Sequence, residues 1–227
     1  MKLVLVESPA KAKTINKYLG SEYDVMATVG HIRNLPNKDG VNPEENFSMN
    51  WELIDRGNKF VRDIKQSLKS ASKLILATDP DREGEAIAWH VEKLLRDNAS
   101  LSKLNIHRVT FNEITKNAVL DSLKSPREID ENLVNAYLAR RALDFLVGFT
   151  LSPVLWRKLP GSKSAGRVQS VALRIISERE LEIEKFNPEE YWSIQSNFKN
   201  NEDKLINSRL TIYLGKKVDK LDIKNEK

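Results

Sequence analysis

Lys73-Leu74-Ile75-Leu76-Ala77-Thr78-Asp79-Pro80-Asp81-Arg82-Glu83-Gly84-Glu85 decides the fold. It opens with an unbroken apolar run, Leu74 to Ala77, the pattern of a strand covered on both faces. The run stops at Thr78 and Asp79. Pro80 then stiffens the turn, and Gly84 permits a tight start to the next helix. From Glu83 to Asp97 the apolar residues Ile87, Val91, Leu94 and Leu95 fall on one helical face. A buried strand followed by an amphipathic helix is half of a crossover unit, and crossover units build parallel sheets.

The same grammar extends in both directions. Lys2 to Glu7 is a short apolar run ending in polar residues, followed by Ser8-Pro9 and a helical stretch from Ala10 to Leu19. Tyr23 to Val29 reads as a second strand closed by Gly30, and Arg56 to Ser70 as a helix with Phe60, Val61, Ile64 and Leu68 on one side. Ile106 to Phe111 is a fourth strand candidate, with Thr115 to Leu123 a further helix. The expectation is an α/β fold whose central, mainly parallel sheet is covered on both faces. Such sheets gather ligands at the carboxyl ends of their strands, where Glu7 and Asp79 both fall.

Elsewhere the pattern changes. Between Gly30 and Trp51 it breaks into Pro36, Gly40, Pro43 and several Asn residues, which predicts a long functional loop over 30–55. Beyond Ser125-Pro126 the chain reads as helical, from Glu131 to Phe149 and, after Pro160-Gly161-Ser162, from Arg167 to Lys185. Strand alternation returns in Trp192-Ser193-Ile194-Gln195 and in Leu210 to Leu214. The expected division is an α/β domain over 1–125, a mostly helical segment over 126–186, and the incomplete start of a strand-rich domain over 187–227.

Composition excludes several classes. With 40% hydrophobic and 30% charged residues the chain is neither disordered nor membrane-embedded, and no apolar run approaches the ~20 residues of a span. Met1 to Glu7 is too short and too soon charged for a signal peptide. The absence of cysteine excludes disulfides and thiolate zinc sites and fits a reducing cytoplasm. The net charge of +5 mildly favours a polyanionic partner. Its distribution says more: from Arg140 to Arg174 the only acid among the basic residues is Asp144, with Phe145, Phe149 and Trp156 interleaved. Cations mixed with flat rings suit a single-stranded nucleic-acid groove, where phosphates seek charge and bases seek stacking partners.

The acids carry the chemistry. In an extended chain Asp79, Asp81 and Glu83 project to one side, and the sheet can bring Glu7 alongside. Oxygen ligands without nearby His or Cys suit a hard divalent cation such as Mg²⁺ rather than zinc. Helix capping is the plainer reading, since acids are favoured at helix amino ends.

Six ordered segments resemble the bacterial type IA DNA topoisomerases: Val6 to Ile15, Gly30 to Pro36, Ala77 to Ile87, Phe111 to Thr115, Ala139 to Asp144 and Ser164 to Ser170. The first and third are similar to the signatures of the Toprim domain, which primases and recombination nucleases share; the later ones are not shared. The resemblance implies a Toprim domain followed by helical DNA-binding segments. It implies relaxation of negatively supercoiled DNA without ATP, by transient single-strand cleavage through a 5′-phosphotyrosyl link, strand passage and religation. No Gly-x-x-x-x-Gly-Lys-Ser/Thr phosphate loop occurs, in agreement. By resemblance Glu7 serves proton transfer and metal binding, Asp79, Asp81 and Glu83 complete the metal cluster, and Lys11 faces the phosphate charge. His31, Arg140, Arg141, Asp144, Phe149, Trp156, Ser164, Ala165, Gly166, Arg167, Val168 and Gln169 would contact DNA.

Each assignment has a plainer counterpart: a surface lysine for Lys11, a turn for His31, core aromatics for Phe149 and Trp156, a helix cap for Ser164. His90 and His107 read as structural. The family's nucleophilic tyrosine sits in a Tyr-x-Arg setting that none of Tyr18, Tyr23, Tyr137, Tyr191 and Tyr213 has. The expectation is therefore an amino-terminal portion, monomeric, cytoplasmic and nucleoid-associated, that holds metal and DNA but does not cut. Two other classes stay open: a Toprim-type nuclease or primase-like enzyme, and a stand-alone single-strand DNA-binding module.

Overall fold

The structure, a computed structural model, describes residues 1–98, 101 and 103–226. The chain divides into two compact units, Met1–Arg167 and Val168–Lys227.

In the first unit the elements run β1 (Lys2–Val6), α1 (Pro9–Tyr18), β2 (Tyr23–Ala27), β3 (Arg33–Asn34), β4 (Val41–Asn42), β5 (Ser48–Met49) and β6 (Glu52–Leu53). There follow α2 (Asp55–Leu68), β7 (Lys73–Leu76), α3 (Arg82–Arg96), β8 (Ile106–Arg108), α4 (Lys116–Ser122) and α5 (Glu131–Lys158). Four strands form one sheet in the order β2-β1-β7-β8, with every pairing parallel. Alternation along the two central strands sorts the core. Leu3, Leu5, Leu74 and Leu76 face Phe60, Ile64 and Leu68 of α2 and Ala88, Val91 and Leu95 of α3. Val4, Val6, Ile75 and Ala77 face Ile15, Leu19 and Val119 on the α1 and α4 side. Each fully buried Leu or Ile contributes about 1.5–3 kcal/mol, so the central strands are the most firmly fixed part of the unit. Their carboxyl ends inherit that rigidity.

Residues 30–55 depart from the expected loop. They hold two antiparallel pairs, β3 with β6 and β4 with β5, and a 3-10 turn at Pro43–Glu45. Strands of two residues are too short to show alternation in a sequence. Gly57 seals this region onto α2, for a Cβ there would lie 2.2 Å from the Ile32 carbonyl oxygen. The helix expected to end at Phe149 instead runs 28 residues to Lys158, through Pro153. A proline removes one amide donor, and a long helix tolerates that loss at a local cost.

The second unit begins one residue into α6 (Arg167–Lys185), which leads to β9 (Gln195–Lys199) and β10 (Leu205–Arg209), an antiparallel pair, then to the pair β11 (Ile212–Tyr213) and β12 (Lys216–Lys217). The strand expected at Trp192 to Gln195 starts only at Gln195, and the run Leu210 to Leu214 is cut short because Leu214 and Gly215 turn at positive φ. Among the described residues no helix is long and apolar enough to cross a membrane.

Candidate active site at the carboxyl ends of the sheet

β1 and β7 are neighbours, so Glu7 and Asp79 leave the sheet side by side. The Ser8 hydroxyl caps α1, accepting from the Lys11 amide at 3.3 Å, with Pro9 preset for the first helical position. That start puts Lys11 one turn along, pointing back over the strand ends. Its ammonium donates to Glu7 Oε1 and to Asp79 Oδ1. Burial pushes the Glu7 carboxyl above its ordinary value, against the pull of Lys11. Burial acts on Asp79 in the same direction, but hydrogen bonds from Lys11 and Glu7 and the charges of Lys11 and Arg108 outweigh it and hold its carboxyl low. The second Glu7 oxygen, Oε2, is buried and has no hydrogen-bond partner among the described residues.

The acids of the turn after β7 separate. Asp81 caps α3, its Oδ1 accepting from the Gly84 amide at 2.8 Å. Glu83 accepts from Arg140 Nη1 at 3.1 Å and lies 3.1 Å from His31 Nε2. The common side that extended backbone would give Asp79, Asp81 and Glu83 is lost because α3 has begun by Arg82, which rotates Glu83 away. Among the described residues no three acidic or imidazole side chains are grouped to hold one ion. Lys11 ties Glu7 to Asp79, the cap takes Asp81, and Glu83 belongs to a basic wall.

That wall encloses a cavity of about 670 Å³ whose lining includes His31, Arg33, Arg56, Arg140, Arg141 and Asp144. His31 stacks on Tyr137, ring centroids 5.3 Å apart at 20°. Behind them His90 is fully buried, and its Nδ1 accepts from Arg33 Nε at 3.0 Å. Burial, then the charges of Arg33, His31 and Arg141, push the His90 pKa down to about 2, so it stays neutral and leaves Arg33 charged. Sequence reading missed Tyr137 and Arg33. Tyr137 had a signal, since it lies three residues before Arg140 on one helix and so shares a face with it.

Along α5, Arg141 Nη2 donates to Asn34 Oδ1. Asp144 stands between Arg140, 3.6 Å from its Nε, and Arg167, whose Nε donates at 2.9 Å. The Arg167 hydrogen bond holds the Asp144 carboxyl below its ordinary value. Phe149 and Trp156 are 51% and 57% exposed rather than core. Phe149 leans on Phe145, and Trp156 Nε1 donates to the Lys163 carbonyl at 2.6 Å. Ser164, Ala165 and Gly166 precede α6, while Val168 and Gln169 lie in its first turn. The Ala165 amide is already taken by Ser152 Oγ at 3.0 Å.

Comparison with known proteins agrees with this layout. A family model described as Toprim domain matches residues 2–114, and one described as DNA topoisomerase matches residues 128–227. DNA topoisomerase 1 of Rickettsia felis is 58% identical over 229 residues, covering 100% of this chain and 30% of that protein. The DNA topoisomerase 1 of Zymomonas mobilis is also 58% identical, over 98% of this chain and 18% of that protein. Among solved structures, full-length topoisomerase I from Thermotoga maritima aligns with a TM-score of 0.73 at 42% identity, covering 96% of this chain and 36% of its own. The chain belongs to the bacterial type IA DNA topoisomerases, with a Toprim domain as its first part. It spans about 30% of the length of its Rickettsia relatives.

Proposed function

We propose that these residues supply the metal side and part of the DNA groove of an isomerase that relaxes negatively supercoiled DNA without ATP. In this reading 1–125 is the Toprim domain, 126–186 the helical DNA-binding segment and 187–227 the start of a strand-rich domain. Cleavage through a 5′-phosphotyrosyl link draws its nucleophile from elsewhere, because none of Tyr18, Tyr23, Tyr137, Tyr191 and Tyr213 has the Tyr-x-Arg setting. DNA is the partner, and the cytoplasm, at the nucleoid, is the place of action.

The observation that carries this reading is the Lys11 ammonium between Glu7 and Asp79, beside a buried Glu7 oxygen with no partner among the described residues. A cation already sits between two carboxylates at the strand ends, and a hard oxygen donor is left over. Mg²⁺ is commonly bound by one or two carboxylates, with water and phosphate completing its shell, so the donor set fits. Glu7 and Asp79 would hold the ion first, with Asp81 and Glu83 within the same turn. When bound, the ion neutralises phosphate charge and orients the phosphodiester.

The chain's own residues do the rest. Lys11 sets its charge against the negative charge that develops in transfer and can deliver a proton to a departing oxygen. Glu7, whose carboxyl burial raises, is suited to hold or receive a proton beside the phosphate. Arg140, Arg141 and Arg167 take backbone phosphates, Asp144 orients two of these arginines, and the exposed Phe149 and Trp156 offer stacking faces.

The test is plasmid relaxation by the protein that bears this chain, with Mg²⁺ and without ATP. Asp79→Ala and Lys11→Ala are expected to lower the rate on the order of a hundredfold. Relaxation that needs neither residue nor metal overturns the reading. The 227 residues alone are expected to form no covalent DNA adduct, and an adduct would refute the missing nucleophile.

A further inference from the structure

Glu85 is fully buried, and both of its carboxylate oxygens are engaged. Oε1 accepts from Arg127 Nη1 at 2.8 Å and from the Asp130 amide at 2.7 Å. Oε2 accepts from Arg127 Nη2 at 2.8 Å and from Arg108 Nε and Nη2 at 3.2 and 2.9 Å. The two arginines serve different parts of the fold. Arg108 closes β8, and its guanidinium also holds the carbonyls of Thr78 and Asp79 at 2.7 and 2.8 Å, the backbone of the acidic turn. Arg127 lies in the segment leading to α5, paired with Arg108 by backbone hydrogen bonds of 3.3 and 2.8 Å. Asp130 is the cap of α5. One carboxylate thus joins the acidic turn to the amino end of the helix that carries Arg140 and Arg141.

The lever arm is long. Arg140 lies ten residues beyond Asp130, or about 15 Å along the helix axis, so a tilt of a few degrees at the cap moves it by about 1 Å. A displacement of that size matters to a side chain that must meet a phosphate and already shares Glu83 at 3.1 Å.

We propose that Arg127 and Glu85 are a positioning pair that sets α5, and with it Arg140 and Arg141, at the distance from the acidic turn that a single-stranded DNA backbone requires. This rests on the reading that those two arginines take DNA phosphates. Arg127 acts through Glu85 and not on DNA: both of its terminal nitrogens bind Glu85, and Nη1 also donates to the Glu128 carbonyl at 2.7 Å. A pair that merely adds stability would leave DNA affinity unchanged at temperatures where every variant is folded.

The test is binding of a fluorescent single-stranded oligodeoxynucleotide to the 227-residue chain in low salt without divalent ion, with melting temperature and amide exchange over residues 130–141 recorded for each variant. Arg127→Ala is expected to bind on the order of tenfold more weakly and to exchange faster over 130–141, and Arg127→Lys to recover most of both. Glu85→Gln sharpens the test. It removes a negative charge, so plain electrostatics expects tighter binding, whereas loss of positioning weakens it. If Glu85→Gln does not fold, the Arg127→Ala and Arg127→Lys pair decides. Arg140→Ala tests the underlying reading: unchanged affinity there defeats the assignment of α5 to DNA. Weak binding by Arg140→Ala with parental binding by Arg127→Ala and Glu85→Gln overturns the positioning pair alone. So does weak binding by Arg127→Ala with unchanged exchange, which would make Arg127 a direct contact.

Discussion

Glu83 and Glu85 stand in the same first turn of α3, with Gly84 between them, and meet opposite fates. Glu85 has a fully buried side chain whose partners are Arg108, Arg127 and a backbone amide. Glu83 has 43% of its side chain exposed and shares partners, His31 and Arg140, that line an open cavity. Residues two apart on a helix point about 200° from each other, so one acid faces the sheet and the other the groove. A sealed carboxylate with every oxygen satisfied is scaffold. An exposed one whose partners can be exchanged for a ligand is available for chemistry.

The contrast is broken most directly by Glu85→Ala. It leaves Arg108, 1% exposed, without its counter-charge, and removing one member of a buried pair costs about 3–5 kcal/mol. Urea unfolding reads this, and a cost below about 1 kcal/mol would mean that the interior tolerates the unpaired arginine. Gly84→Ala comes next. Its Cβ would lie 2.3 Å from the Asp79 carbonyl oxygen and 2.7 Å from the Asp79 amide nitrogen, both backbone. Overpacking of that kind costs about 1–3 kcal/mol, and here it also pushes the acidic turn away from α3. A melting temperature equal to the parent's would show that the close approach is not needed.

This pair of acids also shows what a sequence can and cannot disclose. The parallel sheet was legible because Leu3 to Val6 and Leu74 to Ala77 are unbroken apolar runs followed by amphipathic helices, a local pattern. The placement of Glu7 and Asp79 at strand ends followed from that. Which of Asp79, Asp81, Glu83 and Glu85 faces the groove depends on where extended backbone turns helical, a matter of one or two residues. The partners of Glu85 come from 23 and 42 positions away, beyond any local pattern. Arg33 is hidden for the same reason, since its partner His90 is 57 positions away; Tyr137 shares a helix face with Arg140, but its stacking on His31 comes only from the tertiary fold.

Acid titration separates the two regions with a smaller signal. Burial acts to raise the Glu85 carboxyl, but hydrogen bonds from Arg127, the Asp130 amide and Arg108 outweigh it and leave it below 4.5. The unfolded chain therefore binds that proton more readily. The stability Glu85 contributes is fully present above pH 4.5 and is lost as the pH falls through the lower folded value. Glu7 has the opposite sign, since burial raises its carboxyl and the folded state binds the proton more readily. Ionising it costs stability as the pH rises from 4.5 through the folded value. Urea midpoints followed across this range should flatten on the acid side for Glu85→Gln and rise on the neutral side for Glu7→Gln. Parallel profiles for the two variants would erase the distinction between scaffold and site.

The smallest effect on folding and the most telling one on binding come from Glu83→Gln. Its ion pair with Arg140 and its contact with the His31 ring are partly exposed, and exposed pairs are worth about 0–1 kcal/mol, so the variant should unfold within that margin of the parent. If Arg140 takes a DNA phosphate as proposed, Glu83 competes with that phosphate when no divalent ion is present and sets a negative charge beside it. Replacing it with the neutral amide frees the guanidinium and removes that repulsion. Single-stranded DNA should therefore bind about two- to fivefold more tightly to Glu83→Gln at low salt, with the gain shrinking as salt screens the groove. The same substitution at Glu85 is expected to weaken binding. Two acids on one helical turn would thus move DNA affinity in opposite directions on loss of the same charge, an outcome that net charge alone cannot produce. Tighter binding by both variants would reduce the difference between them to simple electrostatics, and weaker binding by both would make Glu83 as structural as Glu85.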